Sequence, residues 1–369
     1  MESDRHGRRR RPPAGEGVDQ RLRPLRPQAA WFVTYLVVMA LKWLIFTELW
    51  HRPLRDGVSA WDAQHYLAIA EHGYPEHLRQ PYSILAFFPG TPLVVHALHL
   101  LTGSYVLAGF IESSVMGAVA CCFAVALVAR RYGQAAGARA AVVLAVAPGA
   151  FLLGMAYAEP LAIAMCLGAL VFLERRRFVL AGVLGFVAGL SSPFAMPLVL
   201  AATYLAWSRR EIGAALVACA APLGFLAFQL YALVRTGRFP VWFAAERTFG
   251  QGFLLANTID RFTRSSGVGI PATVALSLLL AAAAFAAMVK VRAPATWWLF
   301  AIAVVGVGLF SAGSWVNPRI LLDAFPLELA VGVAVRGPAF RLLVVLSFVA
   351  MMAALGAYVV FWPNIVAQP

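Results

Sequence analysis

Charged residues are scarce in this chain, and long polar stretches between its apolar runs are missing. Of the 369 residues, 61% are hydrophobic and only 13% are charged, whereas a soluble domain usually carries about 25% charged residues. Apolar runs of about 20 residues recur instead, which is the length that crosses a bilayer core of roughly 30 Å. The composition therefore excludes an ordinary soluble domain and predicts an all-α bundle of transmembrane helices.

Cysteine is also scarce, and all four cysteines lie within apolar runs, at Cys121, Cys122, Cys166 and Cys219. This placement is typical of small buried hydrophobic side chains and not of a disulfide framework. The zinc-binding patterns HExxH and HxxxH are missing as well, and the three-residue spacing of His96 and His99 is not specific for a metal. The sequence therefore assigns no metal ligands.

The net charge of +13 is distributed in a way that indicates topology and not a nucleic-acid partner. Eight arginines lie in residues 1–28, and most other basic residues form short clusters between apolar runs. This is the pattern of cytoplasmic loops under the positive-inside rule, where arginines also meet anionic lipid headgroups. We predict a disordered cytoplasmic tail at 1–28, a single membrane domain at 29–369 and membrane lipids as partners.

Charge also decides how the chain is threaded through the membrane. The inner tail sends the first span, 29–49, outward, and the later basic clusters fall inside only if the apolar residues 84–101 do not cross. Pro89 and Pro92, with two histidines further along, favour a helix that lies on the outer surface there. The first outer loop is therefore predicted to be large, at 50–104. Ten further spans, for a total of about 11, are expected at 105–129, 138–155, 159–173, 178–190, 195–207, 212–234, 270–290, 296–313, 318–335 and 341–361.

The first outer loop gathers the titratable side chains of an otherwise apolar protein, which indicates a site there. It holds six of the seven histidines, together with Asp56, Asp62, Glu71 and Glu76. Helical spacing places Asp62, His65, Tyr66 and Ile69 on one face, and Gly73 is expected to end that helix. From spacing alone, Asp62 is either a helix cap or a catalytic carboxylate.

The same loop contains three short blocks in a fixed order. They are Trp61-Asp62-Ala63-Gln64-His65-Tyr66, then Gly73-Tyr74, then Phe87-Phe88-Pro89. Together these blocks resemble the PIG-V-like mannosyltransferases, which belong to the GT-C class of membrane glycosyltransferases. Weaker matches follow at Tyr157-Ala158-Glu159 and at Pro318-Arg319. Ala158 stands where the family usually has a hydroxyl residue, and Gly90-Thr91 stand where it usually has Leu-Tyr, departures that bear on the acceptor and the sugar more than on the fold.

The resemblance implies a GT-C fold whose large first outer loop carries an essential acidic residue. It also implies transfer of mannose, with inversion, from a polyprenyl-phosphate-sugar donor to a hydroxyl of a lipid or glycan acceptor. Such a donor is used at the outer, extracytoplasmic face of the cell membrane. Metal dependence stays open, because some GT-C enzymes use a divalent cation such as Mg²⁺ or Mn²⁺ and others do not.

Roles follow from position and from the resemblance. Asp62 is expected to be the base that takes the acceptor proton, and Arg319 to hold the departing lipid phosphate. His65 is expected to position Asp62. Glu159 is expected either to orient substrate or only to interact with the dipole of the helix that begins there. Further substrate-binding candidates, several of them equally typical of ordinary interfacial anchors, are Trp61, Tyr66, Tyr74, Glu71, His72 and Arg247.

Two other classes of protein stay open. A polytopic transporter of a lipid-linked or small polar substrate would also have many spans, and Lys42 within the first span favours a polar pathway slightly. Transporters often contain internal repeats, and no clear repeat is visible here. The third class is an inactive relative that serves as an assembly subunit, against which the presence of Asp62 argues.

Overall fold

The computed structural model describes residues 26–78, 83–249, 269–310 and 316–361, and within these ranges the chain is helical with no β-strand. This confirms the predicted all-α class. The α-helices, numbered along the chain, are α1 (Arg26–Leu44), α2 (Leu54–Val58), α3 (Asp62–His72), α4 (Gly90–Thr102), α5 (Tyr105–Tyr132), α6 (Gln134–Val146), α7 (Ala158–Glu174), α8 (Phe178–Ser191), α9 (Pro197–Arg209), α10 (Ile212–Ala218), α11 (Ala220–Thr236), α12 (Val241–Thr248), α13 (Gly269–Lys290), α14 (Ala295–Phe310), α15 (Pro318–Asp323), α16 (Pro326–Ala334) and α17 (Gly337–Gly356).

Several of these helices have the length and composition of membrane spans. Among the described residues five qualify, namely Ala30–Leu49, Tyr105–Tyr132, Ile212–Thr236, Ala272–Lys290 and Gly337–Val359. The other predicted spans correspond to shorter or interrupted helices, so the total of about 11 stays a prediction. The chain is a multi-pass membrane protein, and the assignment of 1–28 and 29–369 as tail and domain stays a prediction too.

Two predicted spans are wrong as continuous helices, and proline interrupts both. The span expected at 138–155 ends at Val146 and is followed by a 3-10 turn, Pro148–Leu152. The span expected at 318–335 is divided into α15 and α16 just before Pro326. Proline has no N–H to donate to the helical hydrogen-bond pattern. Before Pro148, Ala147 has also left the helical geometry, with ψ 149. These two interruptions bring irregular backbone to the region where the site forms.

The segment predicted to lie on the outer surface, 84–101, is also shorter as a helix than expected. A 3-10 turn occupies Ile84–Ala86, and α4 begins only at Gly90, after Pro89. On α4, Leu100 is exposed whereas Val95 is fully buried. The helix thus has one face toward the protein and one apolar face outward, which is compatible with the predicted interfacial position.

The centre of the bundle is formed by α5, α6 and α7, which are lined with alanines and other small residues. Small residues let helix backbones approach closely in lipid. A Cβ at Gly332 of α16 would lie 2.4 Å from the Cα of Ala140 on α6. Large apolar side chains such as Val179 and Val234 are exposed on the outside of the bundle, as expected for a surface in contact with lipid tails.

A buried lysine connects the first span to the irregular segment after α6. The ammonium of Lys42 is fully buried and donates to the carbonyl oxygens of Phe151 at 3.1 Å and Leu153 at 2.6 Å. It also lies 4.4 Å from the centre of the Trp43 ring. Lys42 therefore supplies hydrogen bonds to backbone that has left the helix and leads into α7.

We expect Lys42→Met to lower the thermal stability of the protein in detergent. Two buried carbonyls would lose their donor, at a cost of about 1–3 kcal/mol each. The melting temperature should fall clearly, whereas Lys290→Met, at the exposed end of α13, should leave it nearly unchanged. Equal melting temperatures for the wild type and the Lys42 variant would contradict this structural role.

Candidate active site

An arginine at the start of a short helix lies at the centre of the site. The side chain of Asn317 caps α15, because its Oδ1 accepts a hydrogen bond from the N–H of Ile320 at 3.0 Å. Pro318 follows in the first turn, where its missing N–H is not needed. This local arrangement sets the position of Arg319, whose side chain reaches back toward the first outer loop.

Arg319 joins the two acidic residues that the sequence analysis singled out. Its Nη1 donates to Oδ2 of Asp62 at 2.6 Å, and its Nε donates to Oε1 of Glu159. The side chain of Glu159 is 3% exposed, whereas those of Asp62 and Arg319 are 29% and 31% exposed. Glu159 is thus the inner partner, and the pair of Asp62 and Arg319 is open to a ligand.

A strained backbone turn at Trp61 and a hydrogen bond to a tyrosine set the position of Asp62. Trp61 has φ 57, in the left-handed region that non-glycine residues rarely adopt, and its Nε1 donates to the carbonyl of Tyr358 at 2.5 Å. The N–H of Asp62 donates to the hydroxyl of Tyr157 at 3.1 Å, and the guanidinium of Arg319 lies 5.3 Å from that tyrosine ring. Of the two interpretations left open for Asp62, the helix cap does not fit, because Trp61 occupies the cap position of α3 and the Asp62 carboxylate pairs with Arg319. The catalytic role stays a prediction.

His65 and Tyr66 form the wall beside Asp62. The ring of His65 lies against Phe87 with centroids 4.7 Å apart, and Tyr66 meets the same ring edge-on at 5.2 Å. Burial lowers the pKa of His65 below its ordinary value, although the charge of Asp62 acts in the opposite direction. The imidazole is therefore neutral at pH 7 and is suited to orient a neighbour or to accept a hydrogen bond.

The structure does not bring four other predicted residues together with Arg319. Tyr74 is buried, and its hydroxyl donates to the carbonyl of Phe87 at 2.6 Å, so its ring packs inside the protein instead of facing a sugar. Glu71 and His72 are exposed at the far end of α3 and lie 3.8 Å from each other. Arg247 is exposed on α12. Their substrate-binding roles stay predictions.

Two acidic residues near the site escaped the sequence analysis. Asp323 is buried one helical turn after Arg319, and its Oδ2 has no hydrogen-bond partner; the i, i+4 spacing to Arg319 was a signal for it. Glu246 on α12 is the second. Burial, followed by the charge of Asp62, raises the pKa of Glu246 to about 7, and Arg319 acts against this rise. No sequence spacing connects Glu246 with Asp62.

A metal site is not apparent in the described ranges, since no three His, Cys, Asp or Glu side chains converge there in a way that could hold a metal ion. The chemistry available to the described side chains is that of a partly exposed carboxylate and a guanidinium side by side. Such a pair can accept a proton on one side and bind an anion on the other. Whether a divalent cation takes part stays open.

The overall fold is similar to those of solved structures. One is the crystal structure of ArnT from Cupriavidus metallidurans bound to undecaprenyl phosphate, with a TM-score of 0.56 and 18% sequence identity. The similarity covers 85% of this chain and 62% of that chain. The fold is therefore of the GT-C class, and the chain spans about 62% of the length of ArnT.

A family model also matches part of the sequence. The model of the Mannosyltransferase (PIG-V) family matches residues 38–209, which include Asp62 and Glu159 but not Arg319. No curated protein matches the chain. The predicted resemblance to the PIG-V-like mannosyltransferases is thus confirmed, on a match that covers a little less than half of the chain.

Arg319→Gln is expected to destabilise the fold, because it leaves the buried carboxylate of Glu159 without a cation. Breaking one side of a buried ion pair typically costs about 3–5 kcal/mol. The double variant Arg319→Gln/Glu159→Gln should recover part of the lost stability, since no inner carboxylate then remains. Thermal unfolding in detergent measures both.

Arg55→Gln is the control, since the Arg55–Asp56 pair is exposed and loose, with 3.5 Å between its atoms. Its removal should cost less than about 1 kcal/mol. Equal melting temperatures for the single and double Arg319 variants would mean that Glu159 does not depend on the guanidinium.

Proposed function

We propose that this protein transfers mannose, with inversion, from a polyprenyl-phosphate-mannose donor to a hydroxyl of a lipid or glycan acceptor at the outer face of the membrane. The observation that carries the proposal is the open pair of Asp62 and Arg319. The family match to a mannosyltransferase supports the sugar. The similar fold of ArnT, which was solved with undecaprenyl phosphate bound, supports a lipid phosphate as the leaving group.

In the proposed reaction, the acceptor oxygen attacks the anomeric carbon of the sugar. Asp62 takes the hydroxyl proton as the new C–O bond forms, which is general base catalysis. The bond between the anomeric carbon and the phosphate oxygen breaks, and its electron pair stays on the lipid phosphate. Arg319 stabilises that negative charge through its N–H groups.

Glu159 supports the reaction by holding the arginine. Because it is almost fully buried and accepts from Nε, it can fix the guanidinium plane while Nη1 exchanges Asp62 for phosphate. His65 and Tyr66 border the space beside the base. The indole N–H of Trp61, which donates to the carbonyl of Tyr358, holds the strained turn in place. The proposed role of Glu159 differs from the substrate-orienting role expected from the sequence, whereas the roles of Asp62 and Arg319 are the expected ones.

One argument for the transporter alternative, the charge of Lys42, is weakened by the position of that residue. Lys42, the charge within the first span that favoured a polar pathway, is fully buried and bound to two backbone carbonyls. It therefore fills a structural role and does not line an open path.

Asp62→Asn should reduce transfer by about 10²–10⁴-fold, the usual contribution of a positioned base. The measurement uses membranes from cells that lack the native protein, supplied with radiolabelled polyprenyl-phosphate mannose, with wild type and variant at matched expression. Asp56→Asn removes an exposed carboxylate of the same loop, paired only with Arg55, and should keep full activity. If Asp62→Asn transfers at the wild-type rate, Asp62 is not the base. If the wild type does not transfer at all, the proposed donor or acceptor is wrong.

The proposed outer position of the site predicts thiol accessibility. His77→Cys, in the first outer loop, should react with a membrane-impermeant maleimide in intact cells. Ser208→Cys, beside the inner cluster of Arg209 and Arg210, should react only after the membrane is opened. Both positions are exposed, and the wild type reports any reaction of the native cysteines. The reverse pattern would invert the topology.

A further inference from the structure

The short helix α12 is fixed against the wall of the site at both of its ends. Near its start, Nε1 of Trp242 donates to the carbonyl of Ala86 at 3.1 Å, and the ring meets Phe88 edge-on at 6.0 Å. At its end, Oγ1 of Thr248 accepts from the N–H of Ser83 at 2.9 Å. The helix lies in residues 235–269, which the charge pattern predicts to form a second outer loop, and it is therefore held in one orientation on the segment that follows α3.

Glu246 lies on the face of α12 that is turned toward α3. It follows Trp242 by four residues and precedes Phe249 by three, so the three side chains share a face. The ring of Phe249 meets His65 edge-on at 6.5 Å and Phe87 at 5.8 Å. Arg247, the next residue, is exposed and lies off this face. The second outer loop thus presents to the site a carboxyl group and not the arginine that the sequence favoured.

The electrostatics agree with this placement. The charge of Asp62 opposes ionisation of Glu246, and the charge of Arg319 favours it. The pKa of Tyr66 in α3 is raised chiefly by burial. The charges of Glu159, Asp62 and Glu246 raise it further, and the charge of Arg319 lowers it. The same four charged groups thus act on Tyr66, which agrees with a position of Glu246 beside the site.

The charge of Glu246 decides which substrate it can serve. A lipid phosphate is an anion and would be repelled by a carboxylate, so Glu246 does not suit the donor side, where Arg319 lies. A sugar or another polyol is neutral, and its hydroxyl groups make strong hydrogen bonds to a carboxylate. The partly exposed ring of Phe249 beside it suits the apolar face of a sugar ring.

We propose that Glu246 binds a hydroxyl group of the acceptor that neighbours the hydroxyl deprotonated by Asp62. The acceptor is then a polyol, such as the sugar part of a glycolipid or a glycan, with two hydroxyl groups within reach of two carboxylates. The inference rests on the proposed function, because it takes Asp62 to be the base. Glu246 accepts a hydrogen bond from the acceptor, and no covalent bond changes at this residue.

A consequence is that acceptor binding responds to pH. The pKa of Glu246, raised to about 7, means that the carboxylate forms as the pH increases from 6 to 8. Asp62, Tyr66 and His65 from α3, and Arg319 from α15, are the other ionisable groups around it. Burial raises the pKa of Tyr66, which therefore stays protonated in this window, and burial lowers the pKa of His65, so its imidazole loses its proton at a lower pH than a free imidazole does. Transfer should therefore rise between pH 6 and pH 8 through Glu246.

The test compares the wild type with Glu246→Gln in membranes that contain the endogenous acceptor, with polyprenyl-phosphate mannose as donor. At pH 8 the variant should transfer at least about tenfold more slowly, the effect of one hydrogen bond to a charged group. At pH 6 the two rates should converge, and the donor KM should be the same in both. Glu76→Gln, which removes an exposed outer-loop carboxyl paired with Arg235 at 3.5 Å, should keep the wild-type pH profile. An equal loss of rate at every pH, or a raised donor KM, would overturn the inference.

A second measurement does not depend on transfer. The carbonyl stretch of Glu246, obtained as the infrared difference between wild type and Glu246→Gln, should titrate near pH 7 and should shift to lower pH in Asp62→Asn, where the repelling charge is gone. A carboxyl that stays ionised down to pH 5, or ignores Asp62, would refute its place in the site. Absence of wild-type transfer together with a normal titration would instead count against the proposed function.

Discussion

One positive charge determines how the functional side chains are arranged. Arg319 lies between an inner carboxylate that water hardly reaches, on Glu159, and an outer carboxylate that is partly exposed, on Asp62. The inner contact neutralises a charge that could not otherwise remain buried. The outer contact lies where a ligand can compete for the guanidinium. The helix start at Asn317, the strained turn at Trp61 and the hydroxyl of Tyr157 all serve to hold this one contact in place.

Much of the fold could be predicted from the sequence, because the bilayer imposes a length and a polarity on every span. The ends of α5, α7 and α8 lie within a few residues of those expected from apolar runs and basic clusters. The interruptions at Pro148 and Pro326 were harder to foresee. Proline is tolerated within membrane helices when neighbouring groups satisfy the freed backbone, so the residue alone did not show where a helix would break.

The site was predictable only in part, for a related reason. Asp62, Glu159 and Arg319 could be singled out by position and by resemblance, but their contact joins segments up to 257 residues apart, and no local pattern encodes it. Tyr74 belongs to the same motif as Asp62, yet its hydroxyl is used within the core. Glu246 was overlooked beside the more conspicuous Arg247, since only the docking of α12 shows which of the two side chains faces the site.

The ammonium of Lys42 bears on how the protein is made. Its hydrogen-bond acceptors are the carbonyls of residues 151 and 153, which leave the ribosome more than a hundred residues later. At about 5–20 residues per second, the first helix waits for at least several seconds before these partners exist. A lysine within a lone span opposes membrane insertion, by up to roughly 2.5–3.5 kcal/mol when it lies at the centre. The unpaired lysine thus disfavours release of the nascent first helix from the translocon into lipid until the segment after α6 arrives, which couples insertion to the assembly of the bundle.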